Sequence, residues 1–347
     1  MHATTMALLE AKGSMLRVAA TDLYLSVSST ASAEVGRPGS FAADAKALLD
    51  RIKMMPEGPV AVSADDKGLA IKAKGSARRY TLRGMPGDDY PPLPSPDPNA
   101  PAFTLPAGLL ASLIAHTGYA ISTDETRAHL NSALLDLEGG IARMVATDGH
   151  RLAKVERAIE GAAAAEMLIP LKAITELRRL DDELFSSGGE KPTLTLTRSG
   201  ASLFVTAGET TFGVKLTDAQ FPPWRQVIPD GTATTVRLSR AAMADAIKAV
   251  ALADSAKGAV RLTLGNGVMR ITSESPDGGD GVDELPFEVV DGPGKALIGV
   301  NAKYILDVLG ALSSEEVLLG VSGQLDPLTL APVGSEGFVA VVMPMRI

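Results

Sequence analysis

Alternation of apolar and polar residues is the first signal along this chain. Short runs at residues 60–62, 69–73, 193–197, 202–206, 261–264 and 339–343 alternate with period two, which predicts strands buried on one face. Other segments carry the spacing of a helix: Ala47, Leu48 and Ile52; Ile174, Leu177 and Leu180; Ile305, Leu306, Leu309 and Leu312. Two further helices are expected near residues 106–120 and 240–252. Strands this short need partners, and antiparallel sheets covered on one face by helices bury both patterns. The predicted class is α+β.

The helical segments share a motif, in which a lysine is followed two residues on by Leu or Ile and four residues on by a carboxylate. It occurs as Lys46, Leu48 and Asp50, as Lys172, Ile174 and Glu176, and as Lys303, Ile305 and Asp307. Each lysine follows by 29 to 33 residues an arginine that opens a strand-like run: Arg17, Arg143 and Arg270. The copies are offset by 126 to 131 residues. A period this long marks a repeated domain rather than a solenoid unit.

Proline-rich residues 90–101 cannot be helix or central strand. They open with Tyr90-Pro91-Pro92, which is matched by Phe221-Pro222-Pro223 near the end of the second copy. The expected domains are therefore 1–101, 102–230 and 231–347. The first copy has only 16 residues ahead of Arg17, where the others have 34 to 40 ahead of their arginines. It is expected to lack about one strand and one helix, with an unpaired sheet edge as the consequence.

No apolar run reaches the roughly 18 residues of a membrane span, and with no basic stretch leading into an apolar core near residue 1 no secretory signal is expected. Cysteine is absent, which excludes disulfides and thiolate chemistry and fits a cytoplasmic protein. The net charge of −8 argues against binding nucleic acid by general attraction. Its distribution changes that picture. The segments around Lys46, Lys172, Arg240 and Lys303 sum to +4, leaving −12 on the rest of the chain. Helices sharing one face would form a mildly positive wall on an acidic body.

Catalytic signals are weak. The four histidines show no metal-ligand spacing, and neither a phosphate loop nor a dinucleotide fingerprint occurs, so no metal, cofactor or catalytic residue is expected. The glycine- and aspartate-rich stretch ending at Asp283 fits a solvated loop between strands. Asp148 and His150 flank Gly149; without a nucleophile they read as a turn whose aspartate satisfies local backbone donors.

Two strings make the reading specific: Val145-Ala-Thr-Asp-Gly-His-Arg-Leu152 and the terminal Val341-Val-Met-Pro-Met-Arg-Ile347. Together they resemble the β sliding clamp of bacterial DNA polymerase III, and Phe103 to Pro106, Phe221-Pro222 and Tyr304 to Leu309 extend the likeness over nearly the whole chain. The resemblance implies three tandem clamp-type domains per chain, with a head-to-tail homodimer closing a six-domain ring around double-stranded DNA, held without sequence readout. It implies a processivity factor rather than an enzyme, one that tethers the polymerase III catalytic subunit, the clamp loader and other proteins with a clamp-binding motif. The alternative is a clamp-like paralogue that keeps the partner pocket without closing a working ring.

By the same resemblance, a partner peptide is expected at Leu130, Thr147, Gly149, His150, Arg151, Leu152, Pro222, Val227, Leu325, Val341, Met343, Pro344, Met345 and Arg346. DNA-facing cations are expected at Lys46, Arg51, Lys53, Lys172, Arg178, Arg179, Lys248 and Lys303, and the dimer contact at Tyr80, Ala251 and Leu252. Gln226, Pro327 and the small Ala251 depart from the family pattern and put peptide preference and ring strength in question.

Overall fold

The computed structural model describes residues 3–161, 164–186, 193–254, 258–275 and 279–346. The first repeat supplies β1 (Met6–Lys12), β2 (Met15–Thr21), β3 (Leu25–Ser32), β4 (Gly39–Asp44), α1 (Ala45–Lys53), β5 (Val60–Asp65), β6 (Gly68–Ala73), β7 (Arg79–Leu82) and β8 (Gly84–Pro86). The second runs β9 (Ala102–Pro106), α2 (Leu109–Thr117), β10 (Ser132–Glu138), β11 (Ile141–Thr147), β12 (Arg151–Ala158) and β13 (Ala165–Pro170). It continues with α3 (Leu171–Ser186), β14 (Thr193–Ser199), β15 (Ser202–Ala207) and β16 (Thr210–Lys215). The third runs β17 (Thr234–Ser239), α4 (Arg240–Val250), β18 (Ala259–Gly265), β19 (Val268–Ser275), β20 (Gly279–Pro286), β21 (Glu288–Asp291) and β22 (Ala296–Asn301). It closes with α5 (Ala302–Ala311), β23 (Glu316–Val321), β24 (Leu328–Pro332) and β25 (Phe338–Val342).

The second and third repeats share one order: a strand and a helix, four strands, a second helix, then three strands, with β21 added in the third. Among the described residues the first strand of the first repeat is β1, with no leading strand and helix like those of the other two, while β8 is added at its end. The consequence is local. In the second repeat α2 packs on α3, and in the third α4 packs on α5. Asp181 of α3, fully buried, serves the start of α2, taking the N–H of Gly108 and of Ala111 at 2.7 Å each. That matters because α2 begins at a glycine with no capping side chain. No second helix of its own repeat covers α1 among the described residues, and Leu49 and Ile52 stand exposed on it.

Strand pairing divides the chain into two compact units, each antiparallel throughout. The first holds a nine-stranded sheet in the order β8-β4-β1-β2-β3-β16-β15-β14-β9 and a three-stranded sheet, β5-β6-β7. The second holds a nine-stranded sheet, β13-β10-β11-β12-β25-β24-β23-β17-β21, and a four-stranded sheet, β20-β19-β18-β22. The large sheets are built alike: β3 of one repeat pairs with β16 of the next, and β12 pairs with β25 in the same way. In the small sheets β5, β7, β20 and β22 are edges among the described residues.

The segment around Asp283, expected as a loop, is strand β20, paired with β19 along its full length. Pairing uses only backbone groups, so an edge strand tolerates the glycines that would weaken a packed central strand.

Candidate functional site

The site grows from the turn between β11 and β12. The Thr147 hydroxyl donates to the carbonyl of Arg151 at 2.7 Å and accepts from the N–H of Gly149 at 3.1 Å. The Asp148 carboxylate accepts from the N–H groups of His150 and Arg151, at 2.9 and 3.1 Å. Asp148 thus satisfies backbone donors, as the turn reading holds. Gly149 takes φ of +93°, where an L side chain is strained. The chain end is tied to this turn, because Met343 donates its N–H to His150 at 2.9 Å and Met345 donates its own to Gly299 at 2.7 Å.

Beside the turn lies a cleft of about 180 Å³. Of the residues expected there, Leu130, Thr147, Gly149, Arg151, Leu152, Pro222, Val227, Val341 and Met343 line it. His150, Leu325, Pro344, Met345 and Arg346 are not among its walls. His150 is exposed and stacks on Tyr304, with ring centroids 6.4 Å apart, and Leu325 projects into solvent. Arg127, His129 and Trp224 line the cleft without having been singled out in the sequence. Trp224 carried a signal, as the chain's one tryptophan directly after Pro222-Pro223. Its ring lies under two guanidinium groups, Arg225 at 4.3 Å and Arg143 at 5.7 Å. Beneath the cleft, Leu134, Val145, Leu152, Leu168, Phe221 and Val341 form one apolar cluster with Trp224.

Arg151 is 8% exposed and fully engaged. Its Nε donates to Asp148 at 3.0 Å, one Nη to Asp307 at 2.6 Å and the other to the carbonyl of Tyr119 at 2.5 Å. The rings of Tyr304 and Tyr119 lie 4.6 and 5.4 Å from the guanidinium. Asp307 also accepts from Lys303 at 2.6 Å. Burial works to raise its carboxyl, but the hydrogen bonds from Arg151 and Lys303 outweigh it and hold the group below the usual carboxylate range.

The expected DNA-facing cations lie on four helices. Lys46, Lys53, Lys172 and Lys248 are exposed on α1, α3 and α4. Arg51 donates to the carbonyl of Ala47 and lies 5.9 Å from the Tyr80 ring. Arg178 pairs with Asp182, Arg179 with Glu176 and Glu183, and Lys303 with Asp307. The positive excess needs correction. Helix α3 extends to Ser186, so its three cations share it with Glu176, Asp181, Asp182 and Glu183, giving −1 instead of the +2 of the shorter segment. Helix α1 with its cap Asp44 carries +1, α4 carries +1 and α5 carries 0, so the four together reach +1 rather than +4. Of the residues expected at a dimer contact, Tyr80 lies on edge strand β7, and Ala251 and Leu252 lie in a short 3-10 turn after α4. Leu252 is 81% exposed, extreme for a leucine.

Comparison with known proteins covers nearly the whole chain. Three family models match in order: DNA polymerase III beta subunit, N-terminal domain at residues 4–94, central domain at 104–223 and C-terminal domain at 225–346. The beta sliding clamp of Pseudomonas aeruginosa is 31% identical over 345 residues, spanning 98% of this chain and 91% of that protein. That of Caulobacter vibrioides is 32% identical over 350 residues with the same coverage. The crystal structure of the DNA polymerase III subunit beta from Pseudomonas aeruginosa superposes with a TM-score of 0.92 at 28% identity, covering 99% of this chain and 93% of that one. The C. crescentus beta sliding clamp gives 0.89 at 31% identity, with 99% and 92% covered. No helix among the described residues is long and apolar enough to cross a membrane.

Proposed function

Because this chain belongs to the DNA polymerase III beta subunit family, its three clamp domains following one another from residue 4 to 346, we propose that it is a DNA sliding clamp. Two chains join head to tail into a ring around duplex DNA, and the cleft beside Gly149 takes a short apolar peptide from the replicative polymerase and other partners. A clamp performs no chemical step; it keeps its partner at a high effective concentration on the template.

The order of the sheets supports the ring. Each nine-stranded sheet forms where the third of four strands in one repeat, β3 or β12, meets the last strand of the next, β16 or β25. In the repeat, β20 occupies the place of β3 and β12, and β7 that of β16 and β25. These two strands are edges of the small sheets. Pairing β20 of one chain with β7 of another repeats the same junction, and two such junctions close a ring. Charge favours the match, since Arg78, Arg79 and Arg83 flank or lie in β7 while Asp280, Asp283 and Glu284 lie in β20.

The cleft supports tethering. Leu130, Leu152, Pro222, Val227, Trp224, Val341 and adaptable Met343 offer an apolar slot, with Arg127, His129 and Thr147 as polar groups to orient a peptide. On the DNA side, the near-neutral helices fit loose contacts to phosphates that permit sliding.

The test is topological. Loaded by its clamp loader onto a nicked circular plasmid, the protein is expected to co-elute with DNA and to be lost when the plasmid is linearised. Failure to stay on circles, alongside intact peptide binding, would replace the ring reading with the clamp-like paralogue.

A further inference from the structure

Arg151 forms part of the cleft, and part of what holds it comes from the neighbouring repeat. Asp307 lies on α5 and does not line the cleft. The turn does not need it to form. The first repeat builds the same turn from Thr21, Asp22, Leu23, Tyr24 and Leu25. The Thr21 hydroxyl donates to the carbonyl of Leu25 at 2.7 Å and accepts from the N–H of Leu23 at 3.0 Å. The Asp22 carboxylate accepts from the N–H groups of Tyr24 and Leu25, at 2.9 and 2.7 Å. Even the closing strand repeats, since Lys215 donates its N–H to Tyr24 as Met343 does to His150. In that turn the place of Arg151 is held by Leu25, which has no ionic partner to find.

The arginine and its acceptors are therefore an addition to a turn that folds without them, and what they add is a fixed guanidinium at the rim of a cleft. The geometry points to Asp307 as a positioning residue for partner binding, acting through Arg151. Asp307 sets the guanidinium from one edge and Tyr304 supports its face, while His150 stacks on the same ring. An arginine held by two carboxylates, a carbonyl and two rings loses little freedom when a peptide arrives, so the peptide meets a preorganised wall.

This inference rests on the cleft being the partner site, and the experiment separates the two. A fluorescein-labelled peptide from the C-terminal tail of the polymerase III catalytic subunit is titrated with the full chain and followed by anisotropy. Binding by the unaltered chain is the premise; its absence would overturn the cleft reading and this inference together. Asp307→Asn is expected to weaken binding about five- to tenfold, while Asp307→Glu, which keeps the charge, recovers most of the loss. On an Arg151→Lys background Asp307→Asn is expected to add less than a twofold loss, because the group it positions is gone. A purely structural role for Asp307 would weaken binding equally on both backgrounds and would overturn the inference. So would unaltered affinity in the folded Asp307→Asn chain, or in Asp307→Ser should the asparagine variant not fold.

Discussion

Gly149 and Leu23 occupy the same place in two copies of one turn, with φ of +93° and +76°. The leucine shows that the turn tolerates a side chain there at a strain of about 1–2 kcal/mol, and Leu23 points it into solvent. At Gly149 an added Cβ would meet the end of the Arg127 side chain at 3.3 Å, on the wall of the cleft. Gly149→Leu is therefore expected to fold, with only a modest fall in thermal midpoint, and to weaken peptide binding more than tenfold by anisotropy. Wild-type affinity in that variant would remove Gly149 from the site. Asp181 gives a prediction of the opposite kind, on stability rather than binding. Its two oxygens are the acceptors for the start of α2, and burial pushes its carboxyl above the usual range against the pull of those N–H groups. Asp181→Ala leaves two donors unmet, one buried and one half-buried, at a cost of about 3 kcal/mol in urea unfolding. A cost below about 1 kcal/mol would mean that solvent or another group replaces the cap.

Across β10, β11 and β12, Asp136, Arg143 and Glu156 stand directly opposite one another, and Arg143 bridges both carboxylates at 2.6 and 2.9 Å. This ladder also holds Arg143 over Trp224, tying sheet charge to the cleft wall. Burial raises the Glu156 carboxyl, but Arg143 and Lys154 more than reverse it and leave it below its ordinary value. A carboxyl with a depressed folded pKa gives its full stabilisation above its unfolded value and loses it as pH falls through the folded one. The thermal midpoint is thus expected to hold steady from neutral pH to about 5 and to fall below about 4, near the unfolded value for glutamate. Glu156→Gln should lower the midpoint at pH 7 and reduce the acid-side slope; a pH-independent deficit would rule out the ladder as its source.

At this scale periodicity located the five helices and a minority of the strands among the described residues. The alternating runs at 69–73 and 193–197 are β6 and most of β14, and the expected helix at 240–252 contains α4. What it lacked was partner information. The β20 segment lies at an edge, where pairing imposes no apolar pattern, so glycine and aspartate pointed to a loop. The acidic end of α3 escaped notice because Asp181 is polar in sequence yet buried by the helix it caps. The hold of Asp307 on Arg151 spans 156 positions and leaves no periodic trace.

For the whole molecule, the repeat was legible because three copies of a lysine motif kept their distance from an arginine. The joining of repeats was not, since the link from β12 to β25 is made in space rather than along the chain. That link carries the last prediction. If β7 and β20 pair between chains as β12 and β25 pair within one, the contact sets three arginines against three carboxylates beside the exposed Leu252. Attraction between partly solvated charges weakens as the Debye length shrinks from about 10 Å at 0.1 M salt to about 3 Å at 1 M. In sedimentation at micromolar concentration the protein is expected to be a dimer in low salt and to shift toward monomer in 1 M salt. Leu252→Asp should shift it at every salt concentration, and Arg79→Glu mainly in low salt, where Asp283→Arg on the same chain would restore part of the dimer. A strict monomer in low salt, or a dimer untouched by all three changes, would show that these edges do not meet.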